Sequence, residues 1–519
     1  MNKIIYSTII IAILSQTAFS QNQIAKIDTS VFSKIKKEAQ NNSAVIEILT
    51  TLCDEYGPRL MWSPEYKKAG DWVSSKLQGY GLQNVILEDV CKTGKTWTLK
   101  NFHATVVEPY CTPLIAYPKA WSLGTNGTIK SDVVHLIIKE EKDFEKYKGQ
   151  LKGKIVLISD QQMLWPYTDP MVERYADSTL LKFANATIPT SEEKEKEKAE
   201  KEKVDKYYEE YFKLMTKKID FCKKEGAALT IDAGSKYYGS VQVWGATSSV
   251  ETKDMVEFLI KQSCDPTLPE TLPQITVSTE QYNGIIRALR KGKNVKMEVN
   301  IDVKIEEPSK GFSIIAEIPG TDLKDEIVII GAHFDTYHSG KGAADNTASV
   351  ADCIEAMRIL KYLNLNYRRT IRIGLWGGEE QGYVGSKAYI EKHFTKNSKE
   401  KCYAYFNMDN GVGLFRGINA QENEGAKKLF TEWLKLINDP KFQTVSIASA
   451  ENTDHVAFDE AGLPGFQFIQ DPLDYMKTYH TNVDLVERIP REDLKQNAIN
   501  LAIFAYIASM QSGGFPQKK

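Results

Sequence analysis

The sequence predicts an α/β fold, in which a mixed, mainly parallel sheet is sandwiched by helices. Three continuous apolar runs in the C-terminal part indicate buried strands, at residues 326–330, 371–376 and 403–406. Helical patterns follow them in turn, at residues 348–363, 385–393 and 424–436. Strands of this type that alternate with helices are buried on both faces, which is typical of parallel sheets.

The length of 519 residues is too great for one ordinary hydrophobic core, so we expect two or more domains. Residues 21–105 show a helix, a turn, a second helix at 66–80 and a strand. Residues 106–300 change to short strands and turns, which indicates a separate, β-rich inserted module. Residues 301–519 carry the alternating strands and helices, and we expect them to form the main domain together with residues 21–105.

A charged helix is predicted inside the insert, at residues 191–218. Glutamate precedes lysine by four residues at Glu192/Lys196 and at Glu197/Lys201, a spacing that stabilises a solvated helix. We interpret this segment as a surface helix. A lid or a dimer arm is the alternative.

Residues 1–20 are predicted to form a secretory signal peptide. Lys3 gives a basic start, an apolar stretch follows at residues 4–14, and small residues precede a cut after Ser20. A membrane anchor is the alternative, but this stretch is shorter than the ~20 residues that a spanning helix needs. We therefore expect a periplasmic or secreted protein without a membrane span.

The composition argues against some partners and sites. Hydrophobic residues make up 42% of the chain, charged residues 26%, and the formal net charge is -2. Nothing here indicates the basic face of a nucleic-acid-binding protein, so small or neutral substrates fit better. The seven cysteines lack CxxC spacing, which argues against a thiolate zinc site or a disulfide-dense scaffold. Their odd number leaves at least one thiol unpaired.

Histidines and carboxylates follow the predicted strands. In open α/β sheets, ligands bind beyond the carboxyl ends of the strands. Five separate segments deliver such residues to that edge, and the residues are His333 and Asp335, Asp345, Glu379 and Glu380, Asp409, and His480. Imidazole and carboxylate without thiolate is the ligand set of hydrolytic zinc, which keeps open positions for water and substrate.

This set has about the ligands that a pair of zinc ions needs. A carboxylate shared by the ions would hold them roughly 3.5 to 4 Å apart, close enough for both to act on one carbonyl. Asp335 lies two residues from His333 on an extended strand, so we expect its carboxylate to accept the other N–H of that imidazole. The side chains of Glu379 and Glu380 diverge as neighbours do, so one can bind metal while the other acts as a base.

Five segments of the chain resemble the co-catalytic zinc aminopeptidase family, and within it the secreted branch of carboxypeptidase Q. The matching segments are GAHFDT at 331–336, GAADNTAS at 342–349, GEEQGYVGS at 378–386, NMD at 407–409 and YHTNVD at 479–484. The resemblance implies the phosphorylase/hydrolase-like fold of zinc peptidases. It also implies that residues 106–300 form an inserted protease-associated domain, and that the protein is a homodimer.

The resemblance implies two Zn²⁺ ions, with other divalent metals as alternatives. His333 and Asp409 would bind one ion, Glu380 and His480 the other, and Asp345 would bridge them.

Three further features follow from the same resemblance. Glu379 would be the general base, His455 would line the substrate pocket, and a cis peptide bond would follow Asp345. The free α-amino group of a peptide substrate would bind beside the metals.

We therefore expect an exopeptidase that hydrolyses N-terminal amino acids from dipeptides or short peptides with metal-activated water. Three alternatives stay open. A carboxypeptidase acting on acidic C-termini would need a basic pocket, and a glutaminyl cyclase typically works with one metal and without the insert. An inactive binding scaffold would usually have lost some ligands.

Overall fold

The computed structural model describes residues 27–164, 170–252 and 263–518. The predicted signal peptide and its cut after Ser20 lie outside these residues. Among the helices of the described chain, none has both the length and the apolar character that crossing a membrane requires.

Helices occur along the whole described chain. They are α1 (Ser30–Asn42), α2 (Val45–Thr50), α3 (Pro64–Gly79), α4 (Asp177–Ala184), α5 (Ser191–Lys224), α6 (Thr279–Arg290), α7 (Ala348–Leu363), α8 (Val384–His393), α9 (Glu424–Ile437), α10 (His455–Glu460), α11 (Tyr475–Thr478) and α12 (Arg491–Met510). The predicted helices at 348–363, 385–393 and 424–436 correspond to α7, α8 and α9, with boundaries that differ by one residue at most.

The strands differ widely in length. They are β1 (Gln83–Glu108), β2 (Thr112–Pro113), β3 (Ala116–Pro118), β4 (Ile129–His135), β5 (Ile155–Leu157), β6 (Leu229–Ala233), β7 (Gln274–Val277), β8 (Lys296–Ile318), β9 (Leu323–His333), β10 (Arg369–Trp376), β11 (Lys401–Asn407), β12 (Phe415–Asn419), β13 (Thr444–Ser446) and β14 (Gly465–Gln470).

The strands join into one mixed sheet with the order β13-β12-β14-β11-β9-β10-β8-β4-β5-β6-β7-β3, and β1 pairs with β8. The central strands β14, β11, β9 and β10 are parallel to one another, whereas β8 is antiparallel to β10. The carboxyl ends of the four central strands therefore meet at one edge of the sheet. The predicted fold, a mainly parallel sheet covered by helices, is confirmed.

Helices cover both faces of the central strands, and β9 shows why its sequence is continuously apolar. Successive side chains of a strand point to opposite faces. Val328 and Ile330 pack in the core beneath α7 and α12, whereas Ile327 and Ile329 pack against Trp376 on the other face. Both sets of positions must be apolar, so no polar alternation is visible in the sequence.

The inserted segment continues the same sheet. β4, β5, β6 and β7 are parallel, and α6 packs against them in a separate hydrophobic cluster. The segment thus contains long helices as well as the expected short strands. β1 and β8 each run through one of the predicted boundaries at residues 106 and 300, and the division into domains stays a prediction.

The charged helix α5 begins at the predicted residue and extends six residues beyond the predicted end. Thr190 caps it, because its side chain accepts a hydrogen bond from the backbone of Glu193. The first part of the helix is exposed, as a surface helix would be. Its last part buries Met215, Ile219 and Cys222 against the insert.

All seven cysteines are unpaired. Three of them, Cys53, Cys264 and Cys353, are completely buried in the main core, where they act as small apolar side chains.

Phe504→Ala should lower the free energy of unfolding by about 3–5 kcal/mol, because it removes a ring buried in α12. The ring centroid of Phe504 lies 5.2 Å from that of Phe406 and 5.1 Å from that of Trp433. Denaturant unfolding measures the loss. The matched variant Tyr362→Ala removes a ring that is 66% exposed, and should cost under about 0.5 kcal/mol. Equal losses would contradict the buried position of α12.

Candidate metal centre

The five predicted metal ligands come together at the carboxyl edge of the central sheet. His333 is the last residue of β9, Glu380 lies shortly after β10, and Asp409 lies just after β11. Asp345 lies in the irregular turn Ala343–Thr347 before α7, and His480 follows α11. Because β9, β10 and β11 are parallel, their ends bring these loops to one place.

Asp345 lies between the two imidazoles. Its Oδ1 is 3.0 Å from Nε2 of His333, and its Oδ2 is 3.1 Å from Nε2 of His480. Each imidazole has a second carboxylate: His333 Nε2 is 3.6 Å from Oδ2 of Asp409, and His480 Nε2 is 2.9 Å from Oε1 of Glu380. The cluster therefore consists of two similar halves that share one aspartate.

These spacings fit zinc. Ligand atoms about 2.1 Å from a tetrahedral zinc lie about 3.4 Å from one another. The donor atoms in each half are separated by 2.9 to 3.6 Å. Shifts of these side chains by about half an ångström, without a rearrangement of the loops, would let either half hold a zinc ion.

Burial and charge make the first half of the cluster strongly electrostatic. Burial alone would lower the pKa of His333, but the hydrogen bond to Asp345 and the charges of Glu379 and Asp409 raise it well above its usual value. Burial also raises the pKa of Asp409. For Asp345, burial acts to raise the pKa, but the hydrogen bonds to both imidazoles outweigh it and lower the pKa.

The second half follows the same pattern. Burial raises the pKa of Glu380 to about 7. Burial acts to lower the pKa of His480, but the charge of Glu380 and the hydrogen bond to Asp345 raise it to about 9. Buried carboxylates thus outnumber imidazoles, and protons on the imidazoles compensate part of the negative charge. Divalent cations could take over this role, so the donor set fits a metal centre.

Asp484 holds the turn that carries Asp345. Its Oδ1 accepts a hydrogen bond from the backbone N–H of Ala344 at 2.6 Å, and its Oδ2 accepts one from Asp345 at 3.2 Å. The peptide bond between Asp345 and Asn346 is cis, as the resemblance implies. Asp484 is buried, and its carboxylate anchors the backbone nitrogens of Ala344 and Asp345.

Asp335 makes a different contact from the predicted one. The other imidazole nitrogen of His333, Nδ1, lies 2.9 Å from the backbone oxygen of Asp335 and 3.8 Å from its carboxylate. The carboxylate accepts hydrogen bonds from the backbone of Gly378 and Glu379, at 2.9 and 3.2 Å. β9 ends at His333, so the two-residue alternation of a strand no longer applies at Asp335. Asp335 thus positions the loop of the two glutamates.

Glu379 lies beside the cluster without being part of it. Within the described chain its carboxylate makes no hydrogen bond, whereas the carboxylate of Glu380 lies against His480. Burial raises the pKa of Glu379 well above its usual value, and the charges of Asp409 and Asp454 add to this effect. The two neighbouring glutamates therefore diverge, as expected.

His455 is fully buried at the start of α10. Its Nε2 lies 3.0 Å from the backbone oxygen of Ala450, and burial lowers its pKa to about 4. Its neighbour Asp454 interacts with the cluster instead, and accepts a hydrogen bond from Ser386 at 2.6 Å. The role of His455 in the substrate pocket stays a prediction.

Two residues that hold Asp409 were not found from the sequence. The hydroxyl of Tyr475 donates to Oδ1 of Asp409 at 3.0 Å, and the amide of Gln467 donates to the Asp409 backbone oxygen. They lie about sixty residues further along the chain, outside every motif that the sequence presents. Asp484 differs, because it stands in the segment at 479–484, where the sequence suggests that it orients His480 or caps the next turn; it accepts hydrogen bonds from the turn of Asp345 instead.

A family model described as peptidase family M28 matches residues 313–505. All five candidate ligands and Glu379 fall within this match. Residues 313–505 therefore form a peptidase M28 domain. The protein is a hydrolase that acts on peptide bonds.

Relatives of this M28 peptidase are similar over nearly the whole chain. Carboxypeptidase Q of Mus musculus is 24% identical over 486 residues, which cover 93% of this chain and 88% of the relative. A crystal structure of a peptidase M28 precursor from Shewanella amazonensis SB2B superposes with a TM-score of 0.65 at 22% identity, covering 94% and 98% of the two chains. A structure called a zinc aminopeptidase from Bacillus subtilis has a TM-score of 0.53 at 19% identity, covering 89% and 93%.

Asp484→Ala in the M28 peptidase should weaken divalent metal binding about 10- to 100-fold, as the loss of an indirect support of a ligand does. It removes the acceptor of two backbone N–H groups next to Asp345. Titration with Zn²⁺ against a competing chelator measures the affinity. Asp322→Ala, which removes a carboxylate paired with Arg368 and 56% exposed, should leave the affinity unchanged. Equal affinity in both variants would contradict the anchoring role.

Proposed function

We propose that this M28 peptidase is a zinc-dependent exopeptidase that removes N-terminal amino acids from dipeptides or short peptides. One observation carries the proposal: Asp345 lies between two imidazoles, each of which faces a second carboxylate. An uncommitted glutamate, Glu379, lies beside them. Such a pair of half-sites suits two metal ions that act on one carbonyl.

In this proposal His333 and Asp409 hold one Zn²⁺, Glu380 and His480 hold the other, and Asp345 is shared. Bound zinc supplies a Lewis acid for the scissile carbonyl and lowers the pKa of a bound water. The Bacillus structure is called a zinc aminopeptidase, which supports the choice of metal. Other divalent metals also suit a set of imidazoles and carboxylates.

Glu379 is the general base in this mechanism. It takes a proton from the attacking water and gives it to the leaving amine. Burial raises the pKa of its carboxyl, which makes the group a stronger base for this transfer. Asp335 supports this role, because its carboxylate holds the backbone nitrogen of Glu379.

The relatives support action at the N-terminus, because the Bacillus structure is called a zinc aminopeptidase. Two Zn²⁺ ions would compensate the charge of the four carboxylates, those of Asp345, Glu379, Glu380 and Asp409, and would leave the site close to neutral. A carboxypeptidase is the second candidate, since the mouse relative is called carboxypeptidase Q.

Three other expectations are part of the proposal. They are the protease-associated character of residues 106–300, the homodimer, and a periplasmic or secreted location. The first is supported by the parallel strands β4 to β7, which form a unit with their own hydrophobic cluster.

Glu379→Gln should lower kcat by about 10²- to 10⁴-fold, the usual contribution of a general base. Zinc content should not change, because Glu379 is not among the proposed ligands. Peptide turnover and metal analysis of the same preparation measure both. Glu391→Gln, at an exposed glutamate of α8, serves as the matched control and should retain full turnover. Normal turnover of Glu379→Gln would remove this residue from its role.

The direction of cleavage is tested with free, N-acetylated and C-amidated peptides, with products identified by mass. We expect amino acids to be released from free N-termini, no reaction of N-acetylated peptides, loss of activity with a chelator and recovery with Zn²⁺. Release of C-terminal residues from N-acetylated peptides would establish a carboxypeptidase instead. Cyclisation of a peptide that begins with glutamine would indicate a glutaminyl cyclase, and no product at all would indicate a binding scaffold.

A further inference from the structure

A loop of the insert, residues 234–245, lies on the segment that carries His480. We call it the covering loop. The backbone N–H of Val243 donates to the backbone oxygen of His480 at 2.9 Å, and that of Val241 donates to the side chain of Asn482 at 2.7 Å. The insert therefore contributes one wall of the metal centre, although the ligands all come from the main domain.

Trp244 fixes the position of this loop. Its ring lies 4.4 Å from the ring of His480, at an angle of 88° between their planes, and 5.6 Å from the ring of Tyr337. The Trp244 side chain is still 44% exposed. Its packing orders the loop beside the centre while one face stays accessible to a substrate.

Lys236 is the cation that the covering loop brings toward the centre. Its Nζ lies 2.7 Å from the ring centroid of Tyr479, and that ring lies 4.8 Å from the ring of His480. Adding these two distances places the ammonium no more than about 7.5 Å from the His480 ring. The ammonium thus lies within about two extended residues of the His480 ring.

Lys236 has no acidic partner among the residues that the structure describes. Its ammonium lies over the face of the Tyr479 ring. Burial lowers its pKa to about 7, and the more distant charge of Asp345 opposes this shift only in part. A desolvated ammonium is costly unless it is paired. An anion brought by a ligand would supply the missing partner.

We infer that Lys236 binds the terminal carboxylate of a dipeptide whose α-amino group lies at the metal centre. The inference rests on the proposed function and names its substrate class. Two extended residues span about 7 Å, so a dipeptide held at the His480 side of the centre can reach an ammonium that lies at most about 7.5 Å from that ring. A longer peptide places a neutral amide at this position and leaves Lys236 unpaired. Lys236 therefore selects for dipeptides.

An acidic side chain at the second residue could supply the same carboxylate chemistry, so the test must separate the two sources. The substrates are Ala-Ala, Ala-Ala-amide, Ala-Asp-amide and Ala-Ala-Ala. The enzymes are the wild type, Lys236→Met, Lys236→Arg and the control Lys435→Met. Lys435 is a lysine of α9 that pairs with Glu432 and is 66% exposed.

Lys236→Met should raise KM for Ala-Ala about 10- to 100-fold, which is the effect of losing one charge-assisted hydrogen bond. Its kcat should change little, and KM for Ala-Ala-amide should stay the same. Lys236→Arg should restore most of the affinity, and Lys435→Met should behave as the wild type. Calorimetry with Glu379→Gln enzyme gives the same comparison as binding constants, without turnover.

Other results would overturn the inference. Equal KM values of the wild type for Ala-Ala and Ala-Ala-amide would do so even if Lys236→Met did not fold. An effect of Lys236→Met on Ala-Asp-amide alone would assign the lysine to an acidic side chain instead. Cleavage of Ala-Ala-amide by the wild type keeps the proposed exopeptidase activity intact in both cases, whereas failure to cleave any of these free N-termini would reject that activity.

Discussion

Charge compensation around Asp345 is the constraint on which the site depends. This carboxylate is buried between two imidazoles, and three further carboxylates lie around it. Like charges in a desolvated space repel each other strongly, so the arrangement is stable only when cations or protons are bound. Asp484 and Asp335 accept hydrogen bonds from backbone N–H groups, and Tyr475 donates one to Asp409; these bonds hold the loops in place against this repulsion.

The sheet brings these charges together because its central strands approach closely where they end. A Cβ atom on Gly331 would lie 2.3 Å from the backbone oxygen of Gly374 in the next strand. A Cβ atom on Gly377 would lie 2.2 Å from the backbone oxygen of Phe312. Any larger residue at either position would separate β9, β10 and β8, and the loops beyond them would move apart. The glycines are therefore required by the geometry that brings His333 and Glu380 together.

The fold and the ligand set could be predicted because their signals are local. Strand β9 and the residues His333 to Asp345 lie within a short segment. The first polar residues after each parallel strand lie at the same edge of the sheet, so their position follows from the end of the strand. The supporting contacts are not local: Asp484 reaches Ala344 across 140 positions of the sequence. The contact between the Asp335 carboxylate and the His333 imidazole was predicted from the alternation of side chains along a strand. That alternation does not reach Asp335, because β9 ends at His333. Lys236 belongs to the insert, and no pattern in its sequence shows which surface its loop contacts.

The position of the insert gives it control over the substrate without a role in the chemistry. β1 and β8 pair over most of their length and carry the insert from the main sheet, so its loops are held rigidly relative to the metal centre. The covering loop contacts His480 through a backbone hydrogen bond and through the ring of Trp244. The ammonium of Lys236 lies over the ring of Tyr479. Changes in this loop would alter which peptide ends fit while the ligand atoms stay in place. In the proposed mechanism, selection of the substrate and activation of water are thus separated between two parts of one sheet.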